Sequence, residues 1–289
     1  MRTGLLKRIA RCVAVLSAFT PLCSAALAAD AQSYQLAATK AVARMDFARA
    51  IEIYSKGLDE PFSLQERADL LRMRGVAAHL ANKRDQAEAD FNAVVKLVGS
   101  TDPRAYSERG FFYHYEGRPE QALADYSAGA ALFPDNGKFP NGQGLALSNL
   151  GRYDEAIAKF NEAIRLDPAS AVFMVGRAEA YNRSDRPQRA LEDYAKAPGL
   201  GHLVPAETYR LRVGVGVAHF KLRNYKAAID SLDAAVEIIP NSSTALRYRA
   251  LVFEATNEPD RASRDYEAVL KLKPDDELAT KQLQKLRPN

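Results

Sequence analysis

Neither of the two cysteines in this 289-residue chain, Cys12 and Cys23, lies beyond its first 29 residues. Without that segment no thiol remains, so no disulfide holds the rest together, and the cysteine count says nothing about redox compartment. Excess charge is missing too. Arg2, Lys7, Arg8 and Arg11 precede the first acid, Asp30, and without them Lys+Arg falls from 40 to 36, equal to the 36 Asp+Glu. A neutral chain has no electrostatic drive to neutralise phosphates, which sets nucleic acid and acidic lipid aside as partners. Histidines are few and dispersed: His79 and His114 sit at matching places, His219 is off that line, and His202 is apart from all three. Neighbouring helix axes about 8–10 Å apart keep two such imidazoles from sharing a metal, so they read as groove-lining polar groups. No phosphate loop is present either. Gly214-Val215-Gly216 is a lone GxG inside a helical pattern, and Asn136-Gly137-Lys138-Phe139 has Leu132 and Phe139 where Gly and Ser or Thr belong. No catalytic constellation survives, so the sequence predicts a protein that is not an enzyme and needs no cofactor or metal.

The long apolar run is at the start: Cys12 to Ala29 carries no charge over 18 residues. After a basic beginning it ends in Ser24-Ala25-Ala26-Leu27-Ala28-Ala29, so residues 1–29 read as a secretory signal cut after Ala28 or Ala29. The competing reading is a retained anchor helix, since 18 residues approach the minimum span, but Pro21 and the alanine-rich end favour cleavage. A lipid anchor fits poorly, because Leu22 is too large to precede a modified Cys23. The expectation is a periplasmic or secreted protein of the bacterial cell envelope, with no stable membrane anchor after cleavage.

What the chain has in abundance is repetition. Gly137 to Asp167 is the clearest unit: a helix over Phe139 to Leu150, a turn at Gly151-Arg152, and a second helix from Tyr153 to Leu166 that Pro168 ends. Its Ala156 has counterparts at Ala50, Ala87, Ala122, Ala190, Ala228 and Ala262. Twelve residues before each alanine stands Ala38, Gly75, Gly110, Gly144, Ala178, Gly216 or Ala250; four after stands Tyr54, Phe91, Tyr126, Phe160, Tyr194, Leu232 or Tyr266. A small residue facing a large one at helical spacing packs two antiparallel helices closely. The units run about 31–64, 68–101, 103–136, 137–170, 171–204, 209–242 and 243–276. In the first, Gln35 to Ala43 and Phe47 to Gly57 are the two helices, and Ser63-Leu64-Gln65-Glu66 is a capping box for the next. The fifth is interrupted at Pro198-Gly199-Leu200-Gly201-His202, predicting a bulging loop over 198–208. Asp275 to Leu286, with Leu278, Leu283 and Leu286, suits a capping helix.

A second pattern runs through the array. Arg74, Arg109, Arg177 and Arg249 precede the small residue, and sixteen residues on stand Asp90, Asp125, Asp193 and Asp265. Units with Ala37, Gln143 and Val215 instead carry Ile53, Lys159 and Ser231, so arginine and aspartate are kept or lost together. The spacing predicts a salt bridge from first to second helix, within a unit or across to the next; the competing reading is arginines that bind acidic ligands.

These landmarks resemble the tetratricopeptide repeat, a helix-turn-helix of about 34 residues with small, aromatic, alanine and proline signatures. The resemblance implies an all-α, right-handed α-solenoid of about seven such units plus the C-terminal capping helix, one domain over 30–289. It also implies a scaffold or adaptor that binds a partner protein or peptide in a concave groove. The alternative is a self-associating structural module of the envelope. Positions matching the family's groove are Arg72, Val76, His79, Phe111, His114, Tyr115, Asn141, Leu145, Asn149, Glu179, Arg183, Val213, Val217 and Lys221. They offer an apolar centre at Phe111, Tyr115 and Leu145, amides at Asn141 and Asn149, and a basic edge from Arg183 and Lys221. The lysine and asparagine pair with which some members clamp a terminal carboxylate is missing, which argues against chaperone-tail binding. Gly142, Gly176 and Gly214 either deepen the groove floor or ease packing between first helices.

Overall fold

A computed structural model describes residues 30–200 and 203–286. The expected cleavage site and His202 lie outside them. Fifteen α-helices, and no strand among the described residues, follow one another as hairpins. They fall into two compact bodies, divided between Phe133 and Pro134. The sequence pattern passes through that boundary unchanged because it falls between two complete hairpins.

The first body holds α1 (Ala31–Ala43), α2 (Phe47–Leu58), α3 (Leu64–Leu80), α4 (Arg84–Val98), α5 (Arg104–Tyr115) and α6 (Pro119–Leu132). Helix α1 starts four residues before the expected Gln35, because the Asp30 carboxylate accepts the Ser33 N–H at 2.7 Å and caps it. At α3 the capping box forms: Ser63 N–H donates to Glu66 at 2.9 Å, and Glu66 N–H to Ser63 Oγ at 3.3 Å.

The second body holds α7 (Lys138–Asn149), α8 (Tyr153–Leu166), α9 (Ala171–Arg183), α10 (Pro187–Lys196), α11 (Pro205–Lys221), α12 (Tyr225–Ile238), α13 (Ser243–Ala255), α14 (Pro259–Leu272) and α15 (Glu277–Leu286). The loop expected over 198–208 is shorter. Pro205 opens α11, its fixed φ suiting a first helical turn, and Glu207 accepts the Val204 N–H at 2.9 Å. At the far end Ala279 is buried and Leu283 and Leu286 pack beside Tyr266, whereas Leu278, expected to share this role, stays 39% exposed.

The seven second-helix alanines are wholly buried, and the large residue four positions on is at most 5% exposed in every hairpin. Burying one such ring is worth roughly 1.5–3 kcal/mol. The turns share one backbone solution: Met45, Asn82, Gly117, Gly151, Asp185, Arg223 and Asn257, each five residues before its alanine, all have φ between 59° and 76°. Glycine and asparagine adopt this left-handed region cheaply; methionine and arginine do not.

Candidate partner-binding surface

The arginine column shapes the array before any surface is offered to a partner. Arg109 Nε and Nη2 donate to Asp125 at 2.8 and 2.6 Å, and Arg74, Arg177 and Arg249 grip Asp90, Asp193 and Asp265 with the same two-pronged geometry at 2.7–3.0 Å. The aspartates are buried. Their hydrogen bonds hold Arg109 and Arg177 above the ordinary arginine pKa, so the charge is permanent. Each remaining Nη1 crosses to the second helix of the preceding hairpin, reaching Ser55, Asn92, Asn161 or Asp233 at 2.7–3.0 Å. The bridge thus runs both within a unit and across to the one before. Sequence reading missed the third partner, although a signal existed: these four acceptors stand five residues after the second-helix alanine. Where the next hairpin lacks arginine, that place holds Ser127 or Ala195. Arginines so engaged are joints, not readers of acidic ligands.

On the first-helix face of the first body, Phe111 and Tyr115 are 52% and 46% exposed, their ring centroids 4.5 Å apart. His114 stacks edge-on to Tyr115 at 5.8 Å, and Val76 is half-buried nearby in sequence register. Arg72, expected in the groove, is not available there. It is 6% exposed, pairs with Asp69, donates to Asp102 at 3.0 Å, and brings Nε to 3.2 Å from Glu108. Around it the carboxyls diverge. Burial pushes the Asp102 carboxyl up, but hydrogen bonds from Arg104 and Gln65 outweigh this and hold it at about 2. Burial raises Glu108, which Arg72 and Arg104 only partly offset. His79 is half-buried, edge-on to Phe112 at 5.6 Å with Nδ1 3.2 Å from Glu116; burial lowers its pKa, and the Glu116 carboxylate offsets this only in part.

In the second body Leu145, Asn141 and Val213 are half-buried, Val217 is 9% exposed, and Asn149 is exposed. The basic edge expected here is already engaged. Arg183 donates to Asn149 at 3.4 Å and lies 5.4 Å from the centre of the Tyr153 ring, while Lys221 donates to the Asn182 carbonyl at 2.7 Å and to Asp185 at 3.0 Å. Glu179 accepts Arg210 at 2.9 and 2.5 Å, and Asn182 Nδ2 donates to the Gly214 carbonyl at 2.8 Å. These ties join α9 to α11 in the absence of an arginine bridge there, since that joint holds Ala195, Val215 and Ser231. Gly176 and Gly214 neither floor a groove nor ease contact between first helices alone. A Cβ on Gly176 would stand 2.6 Å from Phe160, and one on Gly214 2.0 Å from the Tyr194 hydroxyl, so both make room for the ring of the preceding second helix. Phe160 also faces Gly144 of its own hairpin, where a Cβ would come within 2.9 Å. Phe160 is thus a plug between two sockets. Phe111 belongs to the first body and Leu145 to the second.

Among the described residues no group of three His, Cys, Asp or Glu could hold a metal ion, and no helix is long and apolar enough to cross a membrane.

Comparison with known proteins agrees with this geometry. The tetratricopeptide repeat model matches three overlapping segments, 113–171, 141–201 and 175–243. A TPR repeat-containing thioredoxin, TTL4, of Arabidopsis thaliana is 26% identical over 149 residues, covering 50% of this chain and 22% of its own length. The chain spans at most 33% of the length of the curated relatives it matches. A tetratricopeptide repeat protein from Parabacteroides merdae superposes with a TM-score of 0.69 at 17% identity, over 89% of this chain and 98% of that one. A chain of the APC/C hetero-tetramer Cut9-Hcn1 does so with 0.70 at 18% identity, over 88% of this chain and 55% of the other. The described residues thus form an all-helical array of hairpins with the fold of these solved structures, and residues 113–243 match the tetratricopeptide repeat model.

Proposed function

We propose that this chain is an exported scaffold that holds a partner protein or peptide on its first-helix face, with Phe111 and Tyr115 as the anchor. The observation that carries this reading is the aromatic pair itself: two rings in contact, tilted by 55° and about half exposed, on a helix whose Phe112 and Tyr113 are buried. Exposed aromatic anchors supply large contact area at small entropic cost and dominate binding energy where they occur. The fold supports the reading by analogy, since one likeness is to a chain of the hetero-tetramer Cut9-Hcn1. Export rests on residues 1–29, whose basic start, apolar centre and small-residue end have the order of a signal. In this reading the partner is met in the envelope, and the chain itself performs no chemistry.

Affinity capture from envelope extract tests it, with the wild-type chain and Phe111→Ala with Tyr115→Ala as parallel baits of equal helicity and melting temperature. Specific partners of the wild type are expected to be lost from the double variant. Retention of all of them refutes the assignment of this face.

A further inference from the structure

The first hairpin breaks the arginine column in a way that exposes a surface. Where later hairpins carry arginine and aspartate it has Ala37 and Ile53. In those later hairpins the arginine meets the preceding second helix; Arg74 reaches Ser55 of α2 in this way. In the first hairpin no described element covers the matching place. Leu36, 55% exposed, lines with Ala37 and Ile53 a recess of about 420 Å³. Lys40, Arg44 and Arg49 line it as well. Arg49 is held by Glu52 at 2.7 Å, but Lys40 and Arg44 make no ion pair among the described residues. The one acid of the lining, Asp46, accepts the backbone N–H of Arg49 and so caps α2. The recess therefore combines an apolar floor, a cationic rim and the position of a second helix.

We propose that this edge docks an acidic amphipathic helix of a partner protein, laid against α1 and α2 as a preceding hairpin's second helix would lie. The helical form follows from what covers the matching place in the hairpin that follows, and the acidity from the two unpaired cations beside Leu36. Apolar residues of such a helix three and four apart would meet Leu36 and Ile53, and its flanking carboxylates would meet Lys40 and Arg44. This surface is separate from Phe111 and Tyr115, so either proposal can fail alone.

A designed helical peptide of leucines at that spacing flanked by glutamates serves as probe, followed by fluorescence anisotropy with the full chain. A version with lysines for glutamates and a scrambled version are the controls. Only the acidic amphipathic peptide is expected to bind, and more weakly as salt rises, because the rim charges are exposed. Lys40→Glu with Arg44→Glu, and separately Leu36→Asp, are expected to weaken it about tenfold or more, with circular dichroism unchanged since all three side chains are exposed. Phe111→Ala with Tyr115→Ala is expected to leave it unaltered. The proposal is overturned if no version binds, or if binding survives the rim reversal and is lost with the aromatic pair. It is also overturned if Leu36→Asp dissolves a dimer seen by sedimentation, which means a second copy covers the edge. Failure to bind together with a Lys7 to Lys40 cross-link assigns the edge to the chain's own first residues instead.

Discussion

Removing Arg109 tests whether the arginine column is a set of joints. Arg109→Ala deletes two hydrogen bonds to Asp125 and one to Asn92, and leaves the Asp125 carboxylate with a side chain only 6% exposed. A buried charge left without its partner costs about 3–5 kcal/mol. Asp125→Ala costs less, about 1–3 kcal/mol, because the guanidinium is 19% exposed and keeps its bond to Asn92. Asn92→Ala removes only the bond that crosses between hairpins, about 1 kcal/mol. Thermal and urea denaturation followed by circular dichroism measures all of these. At about 2–4 °C per kcal/mol for a chain of this size, Arg109→Ala lowers Tm by about 6–20 °C. The double variant Arg109→Ala with Asp125→Ala should lose at least about 1 kcal/mol less than the two single losses added together. Losses that add to within about 0.5 kcal/mol refute the pairing as a source of stability.

Arg223→Gly should raise stability by about 0.5–1 kcal/mol, because the turn holds this residue at φ 59°, where a Cβ is strained; unchanged or lower urea midpoints contradict this. Around Arg72 two substitutions should show opposite pH behaviour. Glu108 has its folded pKa raised by burial, so above its unfolded value of about 4.3 it opposes folding, and Glu108→Gln should melt higher near neutral pH with the gap closing below about pH 4. Asp102, held at about 2, stabilises above its unfolded value of about 3.9; Asp102→Asn should melt lower near neutral pH, with that gap shrinking as pH falls toward 2. A gap independent of pH in either variant defeats the corresponding argument.

The hairpins were legible because their packing is written in single columns: a small residue, an alanine and a ring at fixed spacing can be read without a structure. The two-pronged pairs were legible for the same reason, arginine and aspartate being kept or lost together. Asn92 and Asn161 were missed as third partners because the matching places hold Ser55 and Asp233 elsewhere, so the column is one of acceptors, not of a residue type. The turns were half legible: Gly117 and Gly151 announce a positive φ, Met45 and Arg223 conceal it. Which side chains stay free at the surface depends on neighbours that spacing does not reveal. Arg72 has a first-helix register like that of Phe111, yet three carboxylates surround it, and Lys221 is held by a carbonyl two helices away in sequence.

The joint between the fifth and sixth hairpins has a mechanical meaning. Its polar ties, from Glu179 and Asn182 of one first helix and Asp185 of the turn after it, all reach the next first helix at Arg210, Gly214 and Lys221. The arginine staple that fastens the fourth hairpin to the fifth and the sixth to the seventh has no counterpart on its second-helix side. A seam sewn along one edge bends about that edge. Under load this joint should open before the two stapled joints of the second body, fourth to fifth and sixth to seventh, leaving two stiff pairs of hairpins that share a hinge.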